Sequence, residues 1–193
     1  MGILNVDNLR AVGSGTSVTC MSNRLETTNI NSTGIVTATS FSGSGANLTG
    51  ISGGKVLQVI AGTTNTRVTA TSNSWLDTNL SASITPSDSS SKVLVMVTGD
   101  IQADAWKDGA VTVFRGGTGG TNLGSATLGM QYFKGISGAQ SHAVSFNVLD
   151  TPSTTSATSY LVKIINSSGS GNIYLPHNSG HNVNTIILME IGA

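Results

Sequence analysis

The residues with the strongest claim to chemistry lie near the C-terminus, where LPHNSGHNV places His177 and His181 in an H-x-x-x-H spacing. On a helix that spacing puts two imidazoles on one face, the arrangement of many zinc sites. Here Pro176, Asn178, Ser179 and Gly180 make the stretch a loop, and no nearby carboxylate is spaced as a third ligand. The expectation is a pair of surface histidines and no intrinsic metal. A metal would need three chains to meet so that His177 or His181 of each faced a shared axis. Asp100, Asp104 and Asp108 recur every fourth residue, yet across a strand and turn they need not share a face, so no acid–base pair follows from them. Gly116, Gly117, Gly119, Gly120 and Gly124 lack the Lys-Ser/Thr that closes a phosphate-binding loop, and they read as turns. Cys20 is the single cysteine, with no disulfide partner and no nucleophile signature around it. The catalytic and cofactor inventory is therefore expected to be empty, and the protein non-enzymatic.

Composition says what such a chain can do instead. Charged residues make up 9% of the 193, with net charge zero, against about 25% in ordinary soluble domains. So few cations leave no electrostatic footprint for nucleic acid or an anionic membrane. No apolar run approaches the length of a membrane-spanning helix, and MGILNVDNLR lacks the basic-then-apolar form of a signal peptide. Membrane insertion is not expected, and synthesis in a cytoplasm is. Hydroxyl-rich, β-branched sequence punctuated by glycine favours short strands and tight turns, and no stretch sustains apolar residues at helical spacing. The chain reads as all-β.

Three segments differ in texture. Residues 1–33 are short extended pieces with no core of their own. Residues 34–54, GIVTATSFSGSGANLTGISGG, begin with strand chemistry and dissolve into Gly, Ser and Asn. From Lys55 to Ala193 the pattern becomes regular, with roughly nine or ten strands spaced by turns, which predicts a jelly-roll-like β-sandwich head. KVLQVIAG reads as a buried strand through Val56, Leu57, Val59 and Ile60. Val93 to Val97 is wholly apolar, as in a strand buried on both faces. In SHAVSFNVL, Val144, Phe146 and Val148 alternate with Ala143, Ser145 and Asn147, so one face is wet. The apolar run Ile186–Met189 predicts a central last strand. Asp108-Gly109 between two strand-like runs predicts a hairpin, and its tip, Trp106, Lys107 and Asp108, is a candidate receptor-facing loop. The other large aromatics, Trp75, Tyr132, Phe133 and Tyr174, read as core.

The middle segment holds Ile35, Phe41, Leu48 and Ile51, too apolar for a solvated linker. Fully extended it reaches about 70 Å and is too thin to have an interior. Three copies wound together would bury these four residues on a shared axis, with Gly43, Gly45 and Gly50 allowing close backbone approach. IVTATSFSGSGANLTGI resembles repeats in fibre-like structural proteins of tailed bacteriophages, especially of marine bacteria and cyanobacteria. MGILNVDNLRA, SKVLVMV, SFNVLDTPSTTSATSYLVKI and TIILMEI are similar to phrases in the same group. The resemblance implies a homotrimeric virion component. Residues 1–33 would attach to other virion proteins, 34–54 would form a short shaft, and the head would bind a host-surface glycan or protein. A single shaft-like unit favours a stubby tail fibre or spike, or a decoration protein clamped to the capsid. A jelly-roll carbohydrate-binding or carbohydrate-active protein is the reading from outside that group.

Overall fold

A computed structural model describes residues 33–37, 39, 40, 42 and 55–192. Contacts divide the chain into Met1–Thr49 and Gly50–Ala193. In the first unit the described residues form no strand, and Ile35 is 94% exposed. Phe41, Leu48 and Ile51 lie outside the described residues, as does nearly all of the 1–33 attachment segment.

The second unit is all-β, two antiparallel sheets face to face with no helix among the described residues. Its described residues form eleven strands: β1 (Val56–Thr64), β2 (Val68–Ala70), β3 (Leu76–Ile84), β4 (Lys92–Ala103), β5 (Gly109–Arg115), β6 (Thr121–Asn122), β7 (Gln131–Phe133), β8 (Gln140–Asp150), β9 (Thr158–Asn166), β10 (Ile173–Leu175) and β11 (Asn184–Ile191). In the first sheet β11 lies between β1 and β4, and β8 pairs along the other side of β4. The short β10 pairs with the end of β4 and carries β2. In the second sheet β9 joins β3 to β5, and β5 also holds β6 and β7. With the short β2, β6 and β10 set aside, the orders β1-β11-β4-β8 and β3-β9-β5-β7 are those of a jelly-roll-like sandwich.

Alternation of side chains explains the core. Val93, Val95, Val97 and Ile101 of β4 meet Val111, Val113, Val162 and Ile164 of the second sheet, all 1% exposed or less. At one seam Asp150 of β8 accepts hydrogen bonds from Tyr160 and Arg115 of the second sheet, both at 2.8 Å. Burial and the Asp150 hydrogen bond push the Tyr160 phenol far above its ordinary range. The alternation expected of β8 is present, with Val144 buried and Phe146 and Val148 packed on the core, while Ala143, Ser145 and Asn147 are exposed.

Three expectations are corrected. β1 is an edge strand, and Val56, Leu57 and Val59 are 51–54% exposed, leaving Ile60 to face the core. The apolar run of β4 is buried on one face only, since Leu94 and Met96 point outward and are half-covered. Asp108-Gly109 makes no hairpin, because β4 and β5 belong to different sheets and the segment between them crosses the sandwich. Gly109 is small for a different reason: a Cβ there would stand 2.5 Å from the Phe133 ring. The glycine permits close packing rather than a turn.

β11 inverts the usual pattern of a half-exposed strand. Glu190 is turned inward and fully buried, while its neighbours Met189 and Ile191 face out. Inside, Glu190 accepts hydrogen bonds from Gln58 Nε2 at 2.6 Å and from the Ser87 amide and hydroxyl at 2.8 and 2.6 Å. Burial opposes the charge, but these donors outweigh it and hold the carboxyl down at about 2.

Candidate functional site

The outward side of the second sheet carries a built depression. In β7 the side chains alternate, so Phe133 enters the core while Tyr132 stands outward, 40% exposed. Across the β7-β5-β9 ladder Ala110 pairs with both Tyr132 and Ile165, which places all three on this outer side. Trp75 arrives from the segment just before β3. Its ring meets Phe114 edge-on, centroids 6.2 Å apart at 62°. Its indole Nε1 donates to the Ala126 carbonyl at 2.9 Å, tying the ring to the β6–β7 loop.

That loop is itself braced. Asn122 Oδ1 accepts from Thr112 Oγ1 at 2.7 Å and from the Gly124 amide at 2.9 Å. Gly129 has φ 61°, and a Cβ there would lie 2.5 Å from the Val111 carbonyl oxygen and 2.9 Å from the Trp75 ring. Only glycine fits under the indole. The result is an open groove of about 430 Å³ with Trp75 and Tyr132 as walls, Ile165 below, and Asn73, Thr127 and Ser167 among its polar lining. The buried Ser167 hydroxyl has no hydrogen-bond partner.

The electrostatics around the groove are neutralised in place. Tyr132 donates to Asp108 Oδ2 at 2.7 Å, and the Gly135 amide donates to Asp108 Oδ1 at 2.8 Å. These bonds hold the Asp108 carboxyl below its ordinary range, and the same bond raises the Tyr132 phenol. The groove wall at neutral pH is therefore an uncharged phenol backed by a carboxylate already in use. On the same side Lys163, 4% exposed, reaches Asp77 at 2.7 Å and sits 4.2 Å above the Phe114 ring. It also donates to the Thr118 carbonyl, and Thr118 donates to Asp77. Burial works against the Asp77 charge, but Lys163 and Thr118 together lower its pKa.

The three segments singled out in the sequence land in different places. Trp106 is 68% exposed with φ 61° and is outside the groove lining. Lys107 Nζ is 3.0 Å from Ser170 Oγ. Asp108 alone joins the groove, through Tyr132. Asp100, Asp104 and Asp108 diverge: Asp100 accepts from Asn182, Asp104 from Asn172 and Asp108 from Tyr132. His177 Nδ1 is 3.0 Å from Ser141 Oγ and 3.8 Å from Asp100 Oδ2, whereas His181 is exposed. Among the described residues no group of three His, Cys, Asp or Glu side chains is placed to hold a metal. Trp75 and Tyr132, expected in the core, are instead the groove's walls. The signal available for Tyr132 was its adjacency to Phe133, because neighbours on a strand face opposite ways.

No protein-family model matches the chain, and no curated protein matches it. Among solved structures, one titled "Structure of infectious bursal disease virus Gx strain" is similar at 16% identity and a TM-score of 0.31. The match covers 72% of this chain and spans 37% of that one.

Proposed function

We propose that this chain is a non-enzymatic, trimeric virion structural protein, a short tail fibre or spike whose head binds a host-surface glycan between Trp75 and Tyr132. The groove carries this reading. Two aromatic rings offer flat apolar surfaces to the C–H face of a sugar, while the exposed Asn73 and Thr127 offer donors and acceptors at its edge. Its volume suits one or two saccharide rings. The lining contains no carboxylate, which favours binding over hydrolysis, since glycoside cleavage ordinarily needs an opposed carboxyl pair. Trimerisation through 34–54, attachment through 1–33 and residence in the virion follow from the resemblance to phage fibre proteins.

The test is binding of the full-length chain to an array of bacterial surface glycans. Trp75→Ala should weaken any glycan bound by the parent about tenfold, the worth of one aromatic stack at 1–1.5 kcal/mol, while thermal melting stays cooperative. Equal binding by parent and variant would overturn the groove reading. The single shaft-like unit favours a second location, the capsid surface, with residues 1–33 clamped to the shell. Immunogold labelling of intact particles with an antibody to the head separates the two, according to whether label falls on tail or shell.

A further inference from the structure

On the opposite side of the sandwich, no loop among the described residues covers one end of the face. Across the outer face of the first sheet, Val59, Met189, Leu94 and Leu149 stand in one row, paired strand to strand from β1 through β11 and β4 to β8. Ile187 and Met96 follow in the next row. One row further the face turns to hydroxyls: Thr63, Thr185, Thr98 and Ser145. The apolar character is thus concentrated at one end.

We propose that this apolar end is where heads of neighbouring copies of the chain pack together. The inversion in β11 points this way: a strand built to face water on its outer side would not bury Glu190 and turn the half-buried Met189 and Ile191 outward beside the exposed Val59 and Leu149. The occupant is argued from three further observations. The apolar rows themselves carry no charge, with Lys55 and Lys92 at their margin and Asp100 at the far end of the face, so they offer little complement to a charged partner, whereas another copy of this neutral chain presents a matching apolar surface. The two rows span about 260 Å² across the four strands, from a strand spacing of ~4.8 Å and a rise of ~3.4 Å per residue. That is a patch a lone monomer can carry, and about a third of the area per partner of a free-standing interface. Copies held together elsewhere make up the difference, because tethering raises their effective concentration to about millimolar. The tether enters at the right place: residues 1–54 join β1 at Lys55, whose carbonyl accepts from the Gly192 amide beside this same apolar end. The inference rests on the trimer reading for its tether.

Thiol labelling of the full-length chain tests it, in a Cys20→Ala background. Val59→Cys, on the face, is compared with Ala157→Cys, on an exposed loop, alongside mass by light scattering. Expected is a mass that is a multiple of the 19.6 kDa chain, with the thiol at 59 labelled at least about tenfold more slowly than that at 157. Adding Leu149→Lys, a change at a position already 52% exposed, should restore fast labelling at 59 without lowering the melting temperature of the head. A multimer whose thiol at 59 labels as fast as at 157 would overturn the face while sparing the trimer. A monomer with that thiol protected would overturn it too, because the chain's own N-terminal residues would then be the cover.

Discussion

The two outward sides of the sandwich are made from the same kind of strand and finished in opposite ways. On the second sheet, the segments before β3 and between β5 and β7 are folded back over the strands and fastened there by Trp75 to Ala126, Asn122 to Thr112 and Lys163 to the Thr118 carbonyl. What remains open is a small groove with an aromatic wall on each side. On the first sheet no described segment is folded back over the apolar end, and the outward apolar side chains of β1, β4 and β11 are half-buried to exposed. Loops that cost conformational entropy to order lie around the groove proposed to hold a glycan. A face meant to meet a copy of itself needs no such shaping. On the proposed reading, the difference separates recognition from assembly within one small head.

Single substitutions on the two faces differ in their expected cost, the core of β11 giving the largest. Ile186 and Ile187 are neighbours on β11, one fully buried and the other outward. Ile186→Ala should cost about 4 kcal/mol in urea unfolding, as expected for a cavity in a packed core. Ile187→Ala should cost about 1 kcal/mol under conditions where the chain is monomeric, and clearly more where it is assembled. Equal costs for Ile187→Ala in both states would remove the case for a covered face.

Acid is next. The Glu190 carboxyl sits at about 2 in the folded chain against an ordinary 4.5. Its stabilisation is therefore complete above pH ~5 and lost as pH falls through 4.5 toward 2, up to about 3 kcal/mol. Melting temperature should drop across that window in the parent and more shallowly in Glu190→Gln. A flat parent profile would mean that Glu190 is not the buried anion described here. On the other side, Lys163→Ala removes the cation that pins the 116–120 segment through Asp77 and Thr118. About 2 kcal/mol of stability should go, less than for a fully buried pair because Asp77 is one-third exposed. The smallest effect is Tyr132→Phe, which deletes the bond to Asp108 and should cost about 1 kcal/mol or less. Glycan binding should change little, since the ring remains.

Strand content was legible in the sequence because apolar runs and period-two alternation are set by the chain itself. VLVMV, SFNVL and TIILMEI are strands for that reason, and the central place of β11 follows from its unbroken run. Which face of a run is covered was not legible. Val56, Leu57 and Val59 have the texture of a buried strand and lie at an edge, because neighbours decide exposure and composition does not. The Asp108-Gly109 pair misled for a related cause. Its turn chemistry is real, but the Asp108 carboxylate is engaged by Tyr132 and Gly135, and Gly109 is small to admit Phe133. The groove was invisible in advance, since Trp75, Tyr132 and Ile165 come from three separate strand ends that only the jelly-roll-like winding brings together.

The division of labour between the two faces is tested most directly by hydrogen–deuterium exchange on the full-length assembly, with and without a glycan identified on the array. Slowed exchange confined to residues 73–75, 126–132 and 165–168, with β1 and β8 unchanged on glycan addition, is the expected result. Protection by the same glycan appearing in Leu57–Ala61 or around Leu149 instead would place the ligand on the face assigned to assembly, and the account would fail.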